Sequence, residues 1–311
     1  MRAVCFSKFG GPEVLEVQEL PVPVPGPGEV RIKVAAAAVN PTDTGMRAGG
    51  RAEALAAFEP PWVAGMDAAG VVDEVGPGVD WQVGDEVMAV VLPMSTGRGA
   101  QCESIVVPAA SVARIPAGAS LVEASTLPMN ALTVRRALDL LDLKPGQTLA
   151  VTGAAGAVGG YAIQLGKVDG LRILGDASPK DEALVRELGA DVVVPRGPDV
   201  AKAFREAVPE GVDGLIDAAL IGPPVLAAIR DGGALAVVRP FQGETERGIT
   251  VHRVAVSDYA KNSAALDRLR ELVEQGAVTL RVAETFPPEK AGEAQEKLAA
   301  GGVRGRMVIT F

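Results

Sequence analysis

The chain has 311 residues, of which 48% are hydrophobic and 22% are charged, a composition typical of an ordered globular protein rather than a disordered one. This length exceeds what a single hydrophobic core usually serves, so two domains are expected. The formal net charge of -9 disfavours nucleic acid as the main partner, because its phosphates would be repelled.

Scarce cysteine and histidine exclude further classes of protein. Cys5 and Cys102 are the only cysteines and His252 is the only histidine, which excludes a disulfide framework and leaves too few ligands for an ordinary zinc site. No apolar run reaches membrane-spanning length, and residues 1–6 begin a strand pattern rather than a signal peptide. We therefore expect a cytoplasmic protein that binds neither membranes nor nucleic acid.

Residues 1–120 show the pattern of a β-rich domain. Val30, Ile32 and Val34 alternate with charged residues, as in a half-buried strand. Further short strands are predicted within 70–78, 85–91 and 105–107, with glycine turns between them. Strands this short indicate a partly closed barrel or a curled sheet.

From residue 121 onward, apolar strands alternate with helical patterns. Helical spacing runs through 121–143 and recurs at 184–188 and 225–229. The apolar strands fall at 149–152, 171–174, 192–194, 215–216 and 235–238. Continuous apolar strands separated by helices predict a parallel sheet covered on both faces.

A glycine turn follows the first of these strands and opens directly into a helix. Free N–H groups and the helix dipole attract anions at such a helix start. Glycines three residues apart let a diphosphate approach the backbone, although this spacing is not G-x-G-x-x-G and a tight packing turn is the alternative interpretation. Its position after the first strand of a doubly wound sheet favours dinucleotide binding. The residues expected to bind the cofactor here are Gly153, Ala154, Ala155, Gly156, Ala157, Val158 and Gly159.

The elements after residue 256 cannot all extend the nucleotide-binding sheet, so we expect them to return to the first domain. A helix is predicted through 266–273, a strand near 279–282 and a final strand at 306–311. The predicted organisation is a nucleotide-binding domain, 121–257, inserted in a β-rich domain made of 1–120 plus 258–311.

Several motifs occur together in a characteristic order. They are VNPTD at 39–43, GMDAAGVV at 65–72, VGDEV at 83–87, the glycine turn, LGAD at 188–191 and GRMVI at 305–309. Together they resemble the medium-chain dehydrogenase/reductase superfamily, specifically its zinc-free quinone oxidoreductase branch, which includes zeta-crystallin. The resemblance implies an α/β fold in which a doubly wound parallel Rossmann sheet domain is inserted in a β-rich, GroES-like, partly closed barrel domain.

The same resemblance places Asn40, Met66 and Met129 where zinc alcohol dehydrogenases of the superfamily hold their catalytic metal. A neutral amide and two thioethers are poor zinc ligands, so no zinc is expected. The chemistry left is metal-free hydride transfer to a small electrophile, either a quinone or an α,β-unsaturated carbonyl compound.

By resemblance, Asn40, Asp43 and Thr133 are candidates for the catalytic site, and Asp67 occupies an acidic position of the family. Asn40 is expected near the nicotinamide and the substrate oxygen, with a turn-forming role before proline as the alternative. Asp43 is expected to anchor the following loop or helix start, and Asp67 to serve in structural pairing or in catalysis. Thr133 is expected to place its hydroxyl against the nicotinamide, with packing inside a helix as the alternative.

The end of the second nucleotide-binding strand favours NADPH over NADH. The position that is acidic in NAD enzymes aligns with Ala177, and Ser178, Lys180 and Arg196 suit a 2′-phosphate. Asp176 lies one place earlier, and a shift of one residue would instead favour NADH.

Two aromatic positions of the quinone reductases are not aromatic here. They are occupied by Gly45 and Arg135, which leaves the substrate's identity open. After the fifth strand, Val238 and Phe241 are expected to lie beside the nicotinamide. For Phe241, the alternative is that its apolar side chain only closes the cleft.

Two alternative functions and an oligomeric state are also considered. An enoyl-thioester reductase is the second enzyme hypothesis, although the only tyrosines, Tyr161 and Tyr259, are poorly placed for it. A non-catalytic NADPH-binding sensor or stress protein is the third hypothesis. The β-branched stretch 249–256 predicts an edge strand that pairs in a homodimer, as in relatives.

Overall fold

The computed structural model describes residues 1–311, which divide into two compact units. The first contains Met1–Met129, Ala260–Gln275 and Leu280–Phe311, and the second contains Asn130–Tyr259 and Gly276–Thr279. None of the helices combines the length and apolarity needed to cross a bilayer.

The first unit is built on two sheets. Its strands are β1 Arg2–Phe6, β2 Glu16–Glu19, β3 Glu29–Ala38, β4 Trp62–Val63, β5 Asp67–Val75, β6 Glu86–Val90, β7 Ser104–Pro108, β8 Val112–Arg114, and, near the end of the chain, β15 Val282–Phe286 and β16 Arg306–Thr310. Three strands form a small sheet in the order β2-β1-β4. Seven form a mainly antiparallel sheet in the order β15-β16-β3-β5-β6-β8, with β7 also paired to β3.

The long strand β3 organises the larger sheet. Along one edge it pairs with β5, and along the other its first half pairs with β7 and its second half with β16. Val30, Ile32 and Val34 are buried in the core between these strands, which confirms the predicted alternation. The closing strand reaches β3 through the pair Val308 and Ala38, so the end of the chain does return to the first unit.

Both units contain helices. The helices of the chain are α1 Pro41–Arg47, α2 Ala52–Leu55, α3 Leu121–Ala124, α4 Pro128–Leu141, α5 Ala157–Val168, α6 Glu182–Glu187, α7 Val200–Ala207, α8 Ser263–Glu274 and α9 Ala291–Ala300.

The second unit contains a fully parallel six-stranded sheet. Its strands are β9 Thr148–Thr152, β10 Arg172–Ala177, β11 Val192–Pro195, β12 Val212–Asp217, β13 Ile229–Val237 and β14 Thr250–Arg253. They lie in the order β11-β10-β9-β12-β13-β14, the doubly wound order in which the chain winds outward in both directions from β9. The predicted Rossmann sheet is confirmed, and β14 is an edge strand.

The unit boundaries lie at 129/130 and 259/260 rather than at 120/121 and 257/258. The first differs because α3 packs on β3, β5 and β6 of the first unit. Residues 276–279 belong to the second unit, where the side chain of Gln164 hydrogen bonds both the backbone N–H and the hydroxyl of Thr279.

Two predicted elements differ from the structure. The helical pattern at 225–229 is a 3-10 helix, Pro223–Ala228, and Ile229 already belongs to β13. Ile229 is extended because it pairs with Val212 of β12 in the parallel sheet. The strand predicted near 279–282 begins only at Val282, because residue 279 is held by Gln164.

Candidate functional site

The loop after β9 is shaped so that a ligand can approach its backbone closely. Gly153 has a φ of +66°, which side-chain-bearing residues rarely adopt. A Cβ at Gly159 would lie 2.2 Å from the carbonyl oxygen of Gly153, so only glycine lets α5 begin this close to the turn. Gly156 precedes the 12-residue helix α5 and has no side chain with which to cap it. The helix start is therefore suited to a diphosphate.

This loop lies at the point where the strand order of the second unit reverses. β9 has β10 on one side and β12 on the other, so the loops after β9 and β12 border a common crevice at the carboxyl edge of the sheet. Dinucleotides bind at this point in doubly wound folds. Ala154 and Ala155 are buried residues of the loop itself, and Ala157 and Val158 lie in the first turn of α5.

Asp176, at the end of β10, faces the glycine loop. Its side chain is 2% exposed, and its Oδ1 accepts a hydrogen bond of 3.0 Å from the backbone N–H of Ala154. Burial raises the pKa of Asp176 above its ordinary value, while the loop N–H groups and Arg196 oppose the shift. Arg196 Nε lies 4.0 Å from Asp176 Oδ2.

A basic corner lies beside this carboxylate. The backbone N–H of Arg196 donates to the carbonyl of Ala177 over 2.9 Å, and the Arg196 side chain is half exposed. Ser178 donates its hydroxyl to Asp181 over 2.5 Å, and Lys180 is exposed in the same turn. The structure thus brings the predicted phosphate-binding residues to one strand end, together with the acid that complicates their assignment.

The remaining predicted residues of the second unit lie in the segment that follows β13 and on α4. Val238 and Phe241 are half buried after β13, and Phe241 packs against the unit's hydrophobic core. Thr133 is 7% exposed on α4.

In the first unit, Asn40, Asp67 and Arg306 form a buried polar cluster. Asn40 Oδ1 accepts from Arg306 Nη2 over 2.7 Å, and Asn40 Nδ2 donates to Asp67 Oδ2 over 2.8 Å. Arg306 Nη2 also lies 2.9 Å from Asp67 Oδ2, in an ion pair that is almost wholly buried. The second oxygen of Asp67 accepts the backbone N–H of Met129 over 2.6 Å. Asn40 is 0% exposed, and both its amide oxygen and its amide nitrogen are hydrogen bonded to other groups of the protein.

Asp43 lies at the start of α1 and anchors the surrounding backbone. Its carboxylate accepts the N–H groups of Asn40 over 2.8 Å and Gly65 over 3.1 Å, and the side-chain amide of Gln101 over 3.0 Å. Burial, with a smaller contribution from Asp67, raises the pKa of Asp43 to about 7, against the opposing hydrogen bonds. Gln101 Oε1 is buried without a hydrogen-bond partner. A half-turn of that amide would present Oε1 to a protonated Asp43 carboxyl.

The Asp43→Asn variant is expected to remove part of the pH dependence of stability. A carboxyl whose pKa is about 7 when folded and 3.8 in the reference state keeps a proton that the unfolded chain releases. The folded state therefore loses stability through this group as pH rises from about 4 to about 7. Urea unfolding of both proteins across this range should show a smaller fall with pH in the variant. An unchanged slope would contradict the assignment.

The residues at this cluster do not fit a zinc ion. Met66 and Met129, at positions that the resemblance assigns to metal ligands, offer only thioethers, and both ends of the Asn40 amide are hydrogen bonded. No group of three His, Cys, Asp or Glu residues is arranged so that it could hold a metal ion. Burial raises the pKa of Cys5 to about 11 and that of Cys102 to about 12, so neither supplies a thiolate at neutral pH.

Sequence reasoning assigned no role to Arg306 or Gln101. The one signal was an arginine at the start of a largely apolar closing strand, where a buried charge needs a partner. Its partner Asp67 is 239 residues away in the chain, so only the fold brings the pair together.

Comparison with known proteins matches both units. The family model "Alcohol dehydrogenase GroES-like domain" matches residues 26–117, and the model "Zinc-binding dehydrogenase" matches residues 188–309. The 2-haloacrylate reductase of a Burkholderia species is 30% identical, over 99% of this chain and 98% of that protein. The structure of the quinone oxidoreductase from Coxiella burnetii is 27% identical with a TM-score of 0.89, covering 100% of this chain and 99% of that one. A mycobacterial structure complexed with NADPH is 27% identical with a TM-score of 0.88, covering 100% of both chains.

The fold, the glycine-lined helix start and these matches define an oxidoreductase. The chain belongs to the medium-chain dehydrogenase/reductase superfamily, in its quinone oxidoreductase-like branch.

Proposed function

We propose that the protein is an NADPH-dependent reductase that transfers hydride to a quinone or an α,β-unsaturated carbonyl compound without zinc. The observation that carries this proposal is the glycine-lined start of α5 at the point where the strand order reverses. A Cβ at Gly159 would meet the backbone of Gly153 and Ala154, so glycine at this position lets the start of α5 lie close to the turn.

The loop after β9 would hold the diphosphate of the cofactor, whose reduced nicotinamide would supply a hydride, that is, one proton with two electrons. The acceptor takes this hydride at carbon or oxygen and a second proton from solvent, so a quinone becomes a hydroquinone and an enone a saturated carbonyl. Such acceptors need hydrogen-bond donors for the developing oxyanion rather than a metal. The relationship to a 2-haloacrylate reductase supports an acceptor with an activated carbon–carbon double bond.

The basic corner at the end of β10 supports NADPH as the preferred cofactor. Arg196 and Lys180 supply cations there, and a 2′-phosphate is recognised by such groups. Asp176 is turned inward onto the Ala154 N–H, which removes much of its capacity to bind ribose hydroxyls. The NADPH bound to the related mycobacterial structure points the same way.

The Arg196→Ala variant is expected to raise the KM for NADPH about tenfold, the loss of one charge-assisted contact, and to leave the KM for NADH nearly unchanged. Steady-state kinetics with each cofactor measures both values. Arg172→Ala is the matched control, since Arg172 is an exposed cation at the opposite end of β10. An equal effect of Arg196→Ala on both cofactors would contradict a 2′-phosphate contact.

The reaction class is tested by NADPH oxidation with an ortho-quinone and with a simple enone, before and after dialysis against a chelator. Turnover that survives the chelator supports the proposal, and no turnover with any electrophile contradicts it. Faster turnover of crotonyl-CoA than of quinones would favour an enoyl-thioester reductase. Tight NADPH binding without hydride transfer to any acceptor would favour a sensor.

We also propose a homodimer joined through β14. This strand pairs only with β13, so its other edge is available for strand pairing, and such edges are usually covered. Gel filtration should give the mass of two chains, and a monomer would contradict the pairing.

A further inference from the structure

Leu220 has a backbone conformation that leucine normally avoids. Its φ is +60°, in the left-handed region that only glycine, and to a lesser degree asparagine and aspartate, adopts readily. Its side chain is nevertheless 52% exposed, so burial in the core does not explain the strain.

Two buried side chains hold the loop around Leu220 in place. Asp217, the last residue of β12, accepts the N–H groups of Ile221 over 3.1 Å and Gly222 over 2.8 Å. Thr152, the last residue of β9, donates to Asp217 over 2.6 Å and accepts the N–H of Ala219 over 3.0 Å. Strain of this kind persists when the surroundings fix the backbone, and it concentrates at functional sites.

The loop also borders the glycine turn. A Cβ at Gly153 would lie 3.2 Å from the backbone nitrogen of Ala219, so residues 218–222 and the turn after β9 form adjoining walls of the same crevice. β12 lies on the opposite side of β9 from β10, whose end carries the residues that meet the adenosine half of a dinucleotide.

We propose that Leu220 positions the cofactor by packing its side chain on the nicotinamide–ribose half of the bound dinucleotide. The Asp217–Thr152 pair keeps the backbone strained so that an apolar side chain faces the ligand rather than the core. This inference rests on the proposed dinucleotide binding. Since NADPH and NADH share the nicotinamide half, the contact serves both.

Two substitutions of Leu220 distinguish the effect of its strained backbone from the effect of its side-chain contact with the cofactor. Leu220→Gly should raise the melting temperature of the cofactor-free protein by about 1–3 °C, because glycine accepts the positive φ. The same change should raise the Kd of both NADPH and NADH about fivefold, through the lost apolar contact. Leu220→Ala should raise both Kd values similarly without raising the melting temperature. Thermal unfolding without cofactor and titration of nucleotide fluorescence give these quantities.

Asp142→Gly is the matched control. Asp142 has a φ of +47° and lies between α4 and the start of β9, at the opposite edge of the sheet from the crevice. Its replacement should raise the melting temperature and leave both Kd values unchanged.

The outcomes distinguish the inference from the function on which it rests. A wild-type protein that binds neither nucleotide would overturn both. If the wild-type protein binds nucleotide and both Leu220 variants bind it with the same Kd, only the role of Leu220 is overturned. A rise in Kd for NADPH alone would also overturn it, because the contact would then involve the 2′-phosphate half.

Discussion

Replacing Arg306 by methionine is expected to lower the free energy of unfolding by about 3–5 kcal/mol, the usual effect of removing one partner of a buried ion pair. Methionine keeps much of the volume but leaves the Asp67 carboxylate buried without its cation and the Asn40 Oδ1 without its donor. Urea unfolding at pH 7 measures the change.

Arg186→Met provides the comparison for this prediction. Arg186 pairs with Glu182 one turn away on α6, and both side chains are about half exposed. Exposed pairs of this kind contribute little, so a change below about 0.5 kcal/mol is expected. Equal effects of the two substitutions would show that the Asn40–Asp67–Arg306 cluster has no special role in the first unit.

Gly159→Ala is expected to lower the affinity for NADPH at least tenfold and to destabilise the protein by roughly 2 kcal/mol, as overpacking usually does. The added methyl group would lie 2.2 Å from the Gly153 carbonyl oxygen and 2.7 Å from the Ala154 Cα. Both atoms are backbone, so α5 must move away from the loop as a whole. Nucleotide fluorescence titration and thermal unfolding measure the two effects.

The control for this substitution is Gly45→Ala. Gly45 lies within α1 and does not have a positive φ, and a methyl group added to it would meet no other part of the chain within 4 Å. Alanine is the better helix former there by up to about 1 kcal/mol, so stability should be equal or higher and NADPH affinity unchanged. NADPH binding by Gly159→Ala as tight as that of the wild type would contradict the assignment of the loop.

The architecture could be predicted because periodicity and glycine placement are local signals. The continuous apolar strands from 149 to 238 indicated the parallel sheet, and the position of the glycine turn indicated its first strand. The apolar spacing at 225–229 predicted a helix, whereas Ile229 belongs to β13 through its pair with Val212, a contact between strands that local spacing does not reveal. Helix α9 was not predicted, since its pattern is dominated by alanine and charge.

The sequence indicated which residues belong to the candidate site, but not which residues they contact. The sequence placed Asn40 near a ligand, whereas the structure engages both ends of its amide with Arg306 and Asp67, which are distant in the chain. Asp176 and Ala177 are consecutive residues of β10, so a regular strand would point them to opposite sides. This alternation could not predict that Asp176 turns onto the loop N–H of Ala154, because that contact depends on how β9 and β10 pair.

A crystal structure of the protein grown with NADPH tests the central claim most directly. We expect the diphosphate to lie against the backbone N–H groups of the loop that opens at Gly153, and the cluster of Asn40, Asp67 and Arg306 to hold no metal. A loop without nucleotide, or a metal ion bound beside Asn40, would contradict that claim.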